Sequence, residues 1–297
     1  MTPNLPVVVC SDVGGRLLDS HTASFDAVCA SLDFLRRERV PIVFCSSKTR
    51  AEMEHIQQRL DLRHPFISEN GGAVFVPEGY FGFNVPNARQ VAGYQAVEYG
   101  WPYADVVEKL HRTAERLRID IVGFSDMSVD EVAIDCGLPL LQARLAKLRE
   151  YDEPFRILGV DPSARTRLFK ALGAIRLGGT TGGRYEHAGT PPAGKWAGVS
   201  LLCALYRRAF GAVSTVGLGG DLSDVSWLRH VDIPVIASRE TDMAAALRPH
   251  VPTVRLPRAV DEAGWGHVIA EVVQLVRQGG AVVPRKRRWL SMHREAR

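Results

Sequence analysis

Pro6-Val7-Val8-Val9-Cys10-Ser11-Asp12-Val13-Gly14-Gly15 is the stretch on which the fold turns. A run rich in β-branched residues, with no polar alternation, predicts a strand over 6–10 buried on both faces. A glycine-rich turn carrying Asp12 follows it directly. Outward from this strand the same rhythm repeats. Phe25, Val28, Leu32 and Leu35 fall at helical spacing and predict a helix over 24–37. A strand over 41–45 ends in Ser46-Ser47-Lys48-Thr49, a helix over 50–60 follows, and a short strand over 66–68 runs into Glu69-Asn70-Gly71-Gly72. Strands alternating with helices at this spacing predict a doubly wound parallel α/β sheet.

The pattern changes after about residue 82. Residues 83–188 carry aromatic and glycine-rich stretches, with helices expected over 103–117 and 140–150, and read as an inserted α+β cap domain. The βα rhythm then returns with a helix over 195–209, strands over 213–218 and 234–237, and a last helix over 265–278. The expected organisation is a core from 1–82 and 189–280, a cap over 83–188 and a basic tail over 281–297.

Composition excludes several classes. Apolar residues make up 46% and charged residues 24% of the 297, which is ordinary for a globular chain. No apolar run is long enough to span a bilayer, and the first residues lack a signal-peptide pattern, so the expected location is the cytoplasm. Cys10, Cys29, Cys45, Cys136 and Cys203 are scattered without a CxxC pair, and read as free thiols rather than zinc ligands. Much of the net charge of +4 sits in the tail around Pro284-Arg285-Lys286-Arg287-Arg288-Trp289. The tail reads as a solvated terminus, and no motif supports nucleic acid as a partner.

In an open parallel sheet, ligands bind beyond the carboxyl ends of the strands. Asp12 ends the first strand, Ser46 follows the second, and Asp221 and Asp224 follow a late one. A carboxylate in a tight turn suits nucleophilic attack, and further carboxylates suit Mg²⁺. Together they point to phosphoryl chemistry, although aspartates in such loops also serve as plain turn residues.

Longer motifs add to this. Asp12-Val13-Gly14-Gly15-Arg16-Leu17-Leu18-Asp19 resembles the first motif of haloacid-dehalogenase (HAD) phosphatases, DxDGTLLD. Ser46-Ser47-Lys48-Thr49-Arg50-Ala51-Glu52 and His64-Pro65-Phe66-Ile67-Ser68-Glu69-Asn70-Gly71-Gly72-Ala73 resemble stretches of mannosyl-3-phosphoglycerate phosphatases. So do Gly123-Phe124-Ser125-Asp126-Met127, Arg149-Glu150-Tyr151-Asp152-Glu153-Pro154-Phe155 and Gly182-Gly183-Arg184-Tyr185-Glu186-His187 in the cap. The resemblance implies a HAD-like core with a substrate-specificity cap. It also implies an aspartyl-phosphate mechanism, a Mg²⁺ cofactor and an anionic phosphorylated sugar or glycerate ligand. By the same likeness Asp12 is the nucleophile and Ser46 the phosphate anchor. Lys48, Glu69, Asn70, Arg184, Tyr185, His187 and Lys195 fall to substrate binding. Asp12, the Gly14 carbonyl, Asp221 and Asp224 fall to the metal.

The chain departs from the family pattern at three places. The second aspartate of the first motif, the general acid and base, falls on Gly14. In ungapped register the phosphate-binding lysine falls on Ala193, with Lys195 two residues on. The first metal aspartate of the last motif falls on Gly220, beside Asp221. Three readings follow: a phosphatase with compensating groups, a pseudo-phosphatase that binds a phosphosugar or regulates a partner, and non-phosphoryl chemistry at Asp12.

Overall fold

A computed structural model describes residues 6–13, 26–182, 184–189, 194–219, 224–236, 248–254 and 264–277. Gly14, Arg16, Asp19, Ala193, Gly220, Asp221 and the tail over 281–297 lie outside the described residues.

The opening run forms strand β1 (Val7–Asp12). It pairs in parallel with β2 (Ile42–Cys45) on one side and with β11 (Ser214–Gly219) on the other. Its lack of polar alternation is explained by two cores. Val7 and Val9 pack on one face with Leu32, Leu35, Phe44 and Ile269, while Val8 and Cys10 pack on the other with Val199, Leu202 and Trp227. Full burial of each such aliphatic side chain contributes about 1.5–3 kcal/mol.

Helices α1 (Asp26–Arg37), α2 (Arg50–Arg59) and a C-terminal helix over 264–277 contribute to the first core. The helix over 194–210 lies in the second. The sheet has eight strands in the order β12-β11-β1-β2-β3-β4-β6-β5, with β3 at Phe66–Ser68 and β12 at Ile233–Ile236. From β12 to β3 all pairs are parallel. Strands β4 (Ala73–Pro77), β5 (Arg89–Val91) and β6 (Tyr94–Glu98) extend it antiparallel. Residues 89–98 therefore pair within the large sheet.

A second sheet has four antiparallel strands, β7 (Ile121–Gly123), β8 (Glu153–Ile157), β9 (Gly178–Gly182) and β10 (Tyr185–Gly189), in the order β7-β8-β10-β9. Helices α3 (Tyr103–Leu117) and α6 (Ala164–Ala174) share one apolar core with this sheet. Helices α4 (Val129–Cys136) and α5 (Leu140–Ala146) share another with Tyr185. The helix expected over 140–150 ends at Ala146. Its continuation is diverted because the amides of Glu150, Tyr151 and Asp152 donate to the Glu69 carboxylate instead of to helical carbonyls.

The remaining helices are α7 (Gly194–Phe210), α8 (Val225–Leu228) and α9 (Gly264–Arg277). Among the described residues no helix is long and apolar enough to cross a membrane.

Candidate active site

The chain runs from β1 through β2 to β3 on one side of the sheet and returns through β11 to β12 on the other. Such a reversal of strand order is where open α/β sheets place their ligands. Asp12 stands here at the end of β1, in register with Cys45 at the end of β2.

Lys195, in the first turn of α7, joins the site. Its ammonium lies 3.2 Å from Asp12 Oδ1 and 3.2 Å from Asp224 Oδ1. Burial opposes the lysine's charge, but Asp12 and Asp224 more than offset it, leaving the group above its ordinary pKa. Asp224 is buried and also accepts from Trp227 Nε1 at 2.9 Å. Burial pushes the neighbouring Cys45 thiol up, so it stays protonated. The ungapped register gave the phosphate-binding lysine to Ala193; the ammonium found against Asp12 is that of Lys195.

The close approach that brings Lys195 in depends on Gly71. A β-carbon there would sit 2.1 Å from the Lys195 backbone nitrogen, and its φ of +94° lies in the left-handed region. Gly72 makes similar room for Tyr151, whose Cβ would lie 2.5 Å from an added β-carbon.

Ser46 is buried just beyond β2. Its hydroxyl oxygen accepts from the Lys48 amide at 3.2 Å, an arrangement in which the hydroxyl proton is the one to be donated. Lys48 itself pairs with Glu52 at 2.9 Å. Thr49 and Glu52 close a capping box on α2, a serine/threonine-x-x-glutamate signal present in the sequence. The Thr49 hydroxyl also donates to the Leu145 carbonyl at the end of α5.

Glu69 and Asn70 are drawn toward the second sheet rather than toward Asp12. Burial pushes the Glu69 carboxyl up to about 7, against the pull of Arg149. It accepts from three consecutive amides, Glu150 to Asp152. Asn70 Nδ2 donates to Asp152 at 3.0 Å. Asp152 also meets Arg149 and lies 2.8 Å from His187 Nδ1. Burial works against its charge, yet His187 and Arg149 hold it below the usual carboxylate range.

Arg184 and Tyr185 contact Asp135 of α4, and the Tyr185 ring packs edge-on to Phe124. Glu150 pairs with Arg50, and Glu153 accepts from Ser125 and Tyr103. Met127 packs with the α4 core, and Trp196 packs against the sheet core and His230.

Of the residues expected at the site, Asp12, Lys195 and Asp224 converge. Ser46 stands on the adjacent strand end, while Glu69, Asn70 and His187 join a separate buried network. Sequence reasoning missed Arg149 as the centre of that network. No local spacing links it to Glu69 and His187. Among the described residues no group of three or more His, Cys, Asp or Glu forms a metal cage. Two of the expected ligands, Gly14 and Asp221, lie outside that set.

Known proteins bear on this arrangement. No protein-family model matches the chain. It is 35% identical over 269 residues to the glucosyl-3-phosphoglycerate/mannosyl-3-phosphoglycerate phosphatase of Methanococcoides burtonii, covering 90% of this chain and 97% of that one. A protein of the same name from Persephonella marina is 31% identical over 289 residues, covering 92% and 99%. Among solved structures, BT1666 of Bacteroides thetaiotaomicron, a HAD-superfamily phosphatase, superposes with a TM-score of 0.62 at 15% identity, over 91% of this chain and 96% of that one. A Thermoplasma acidophilum protein, 0175, gives a TM-score of 0.60 at 14% identity, over 92% and 98%. These superpositions establish a HAD-like fold.

Proposed function

This chain belongs to the glucosyl-3-phosphoglycerate/mannosyl-3-phosphoglycerate phosphatase family, and from that premise we propose that it transfers the phosphoryl group of a glycosyl-3-phosphoglycerate or a related phosphosugar to Asp12. The observation that carries the reading is the convergence of Lys195 with Asp12 and Asp224 at the strand-order reversal.

An Asp12 carboxylate oxygen attacks phosphorus, the bond from phosphorus to the sugar or glycerate oxygen breaks, and an aspartyl-phosphate forms. Lys195 offsets charge on the transferring group, and the Ser46 hydroxyl donates to one of its oxygens. Water then attacks phosphorus, the bond from phosphorus to Asp12 breaks to release phosphate and restore the carboxylate, and the proton given up by the water balances the one taken up by the departing alcohol. Carboxylate oxygens are the hard donors that Mg²⁺ takes, so Asp12 and Asp224, with the Gly14 carbonyl and Asp221, would hold the ion. When bound it neutralises phosphoryl charge.

Gly14 has no side chain to protonate the departing alcohol, and a missing general acid costs about 10²–10⁴-fold. Gly220 removes one metal carboxylate expected from the family motif. These two glycines favour a second reading, in which the pocket binds a phosphosugar without turnover.

Phosphate release from mannosyl- and glucosyl-3-phosphoglycerate, with and without Mg²⁺, separates the two. Release that requires Mg²⁺ and disappears in Asp12→Asn supports hydrolysis. Ligand binding with no release from any substrate rejects it. If only chemistry is lacking, Gly14→Asp with Gly220→Asp raises the rate.

A further inference from the structure

The loop that presents the Ser46 hydroxyl turns three consecutive carbonyls toward one buried ionic network. The Ser46 carbonyl accepts from the Asn70 amide at 3.0 Å and the Lys48 carbonyl from the Glu69 amide at 3.0 Å. The Ser47 carbonyl accepts from Arg149 Nη1 at 3.1 Å. Arg149 is the only one of these three donors that comes from the far side of the chain, between α5 and β8.

Its guanidinium is used on every edge. Nε donates to the Asp152 carbonyl at 2.8 Å and Nη2 to the Asp152 carboxylate, while Glu69 lies 3.5 Å from Nε. Asp152 in turn meets His187 on β10. A continuous path therefore runs from the second sheet through His187, Asp152 and Arg149 to the backbone of the Ser46 loop.

Simple adhesion between the two sheets does not explain this path. Adhesion is already supplied by Arg50 with Glu150 at 3.2 Å and by Thr49 with the Leu145 carbonyl at 2.9 Å. The Arg149 side chain is 3% exposed, against 23% for Arg50. Burying a guanidinium and two carboxylates is a poor way to gain stability, since apolar packing of equal volume does as well or better. Such clusters fix geometry instead, and a planar five-donor fork can satisfy several acceptors at set angles.

We propose that Arg149 is a positioning residue for Ser46, holding the Ser47 carbonyl so that the phosphate loop takes its binding shape only when the 149–152 segment is docked. The inference rests on the proposed phosphoryl site at Asp12 and Ser46. It links the part of a ligand that touches the second sheet to the anchoring of its phosphate. A substrate stripped of that part loses kcat as well as affinity.

Arg149→Lys tests it. Lysine keeps the charge between Glu69 and Asp152 but donates from one point, so it cannot reproduce the fork that reaches the Asp152 carbonyl, the Asp152 carboxylate and the Ser47 carbonyl from three separate nitrogens. The probe is orthovanadate, titrated calorimetrically into the full chain with Mg²⁺ present. The expected result is affinity about tenfold weaker in Arg149→Lys, as small displacements of an anchoring group bring losses of tenfold and more. Arg50→Ala, which breaks the adhesive pair with Glu150 and the helical pair with Glu54 but leaves the Arg149–Ser47 contact in place, stays within about twofold of wild type.

Equal affinity in Arg149→Lys and wild type overturns the proposal, and so does an equal loss in both variants. Should Arg149→Lys fail to fold, Asn70→Gly removes the tie to Asp152 while keeping the left-handed backbone. It is expected to weaken vanadate about threefold through loss of one hydrogen bond, and an unchanged affinity overturns the proposal. Wild type that binds no vanadate rejects the phosphoryl site itself, a failure visible before any variant is made.

Discussion

Replacing Lys195 with methionine removes one positive charge from between two carboxylates while keeping nearly the same side-chain length. Each pair stands at 3.2 Å. At an effective dielectric constant near 20, each is worth about 5 kcal/mol of attraction. Burial of the three charges offsets much of that, so the net loss on breaking the cluster is about 3–5 kcal/mol. The remaining carboxylates stand within roughly 6 Å of each other and repel by about 2–3 kcal/mol on the same scale. Urea unfolding in chelator at pH 7.5 measures both numbers. Lys195→Met is expected to lower the unfolding free energy by about 3–5 kcal/mol in the wild-type background. In the Asp12→Asn background the same change costs about 2–3 kcal/mol less, because one of the two opposed charges is gone. A loss under about 1 kcal/mol, or an equal loss in both backgrounds, refutes the reading of Lys195 as the bridge of a charged cluster.

Gly71→Ala forces a β-carbon to 2.1 Å from the Lys195 backbone nitrogen at a φ of +94°. It is expected to cost about 3 kcal/mol in chemical denaturation and to abolish vanadate binding, whereas Gly79→Ala, with open space around it, leaves binding intact. Glu69→Gln faces three backbone donors with an amide that brings donors of its own. A loss of about 2–4 kcal/mol in urea unfolding is expected, and a neutral result argues that the carboxylate does not hold the 150–152 amides. Burial, followed by the charge of Arg36, lowers the His64 pKa to about 4. Because the folded value lies below the unfolded one, its contribution is complete above pH 6.5 and is lost as pH falls toward 4, by about 3 kcal/mol. Unfolding curves of wild type and His64→Phe from pH 7 to 4 should converge by that amount, and parallel curves refute it.

The parallel core was legible because its strands are buried on both faces, which writes an unbroken apolar run such as Val7-Val8-Val9 into the sequence. Asp12, Ser46 and Asp224 were legible for the same reason, since each follows such a run. The second sheet was harder. Its strands carry residues such as Gly178-Gly179-Thr180-Thr181-Gly182, which have little apolar side chain to announce a strand. The capping box at Ser128 and Glu131 marks the start of α4, a signal the periodicity reading passed over. The end of α5 had no local signal at all, because Glu69, some eighty residues earlier in the chain, captures the amides that follow it. Lys195 was expected at the site although the ungapped register put the motif's lysine on Ala193, because position in a motif cannot tell which of two residues, two apart, a helix start delivers to a strand end.

Two of the departures from the family motifs, Gly14 and Gly220, each remove a carboxylate, one that would move a proton and one that would hold the metal. The residues that would bind a phosphoryl group stand together: Asp12, Lys195 and Asp224 in contact, and Ser46 with its hydroxyl oriented by the Lys48 amide. The position that would move a proton, Gly14, has no side chain. A buried ammonium between two carboxylates gains little for folding over apolar packing of the same volume, so the fold alone gives no reason for its presence at the strand-order reversal. An anion bound there does give one, because the positive charge becomes useful only when a further negative group arrives. On the proposed roles, binding and proton transfer are separable, and restoring a carboxylate at position 14 is expected to act on rate while leaving phosphate anchoring by Ser46 and Lys195 in place.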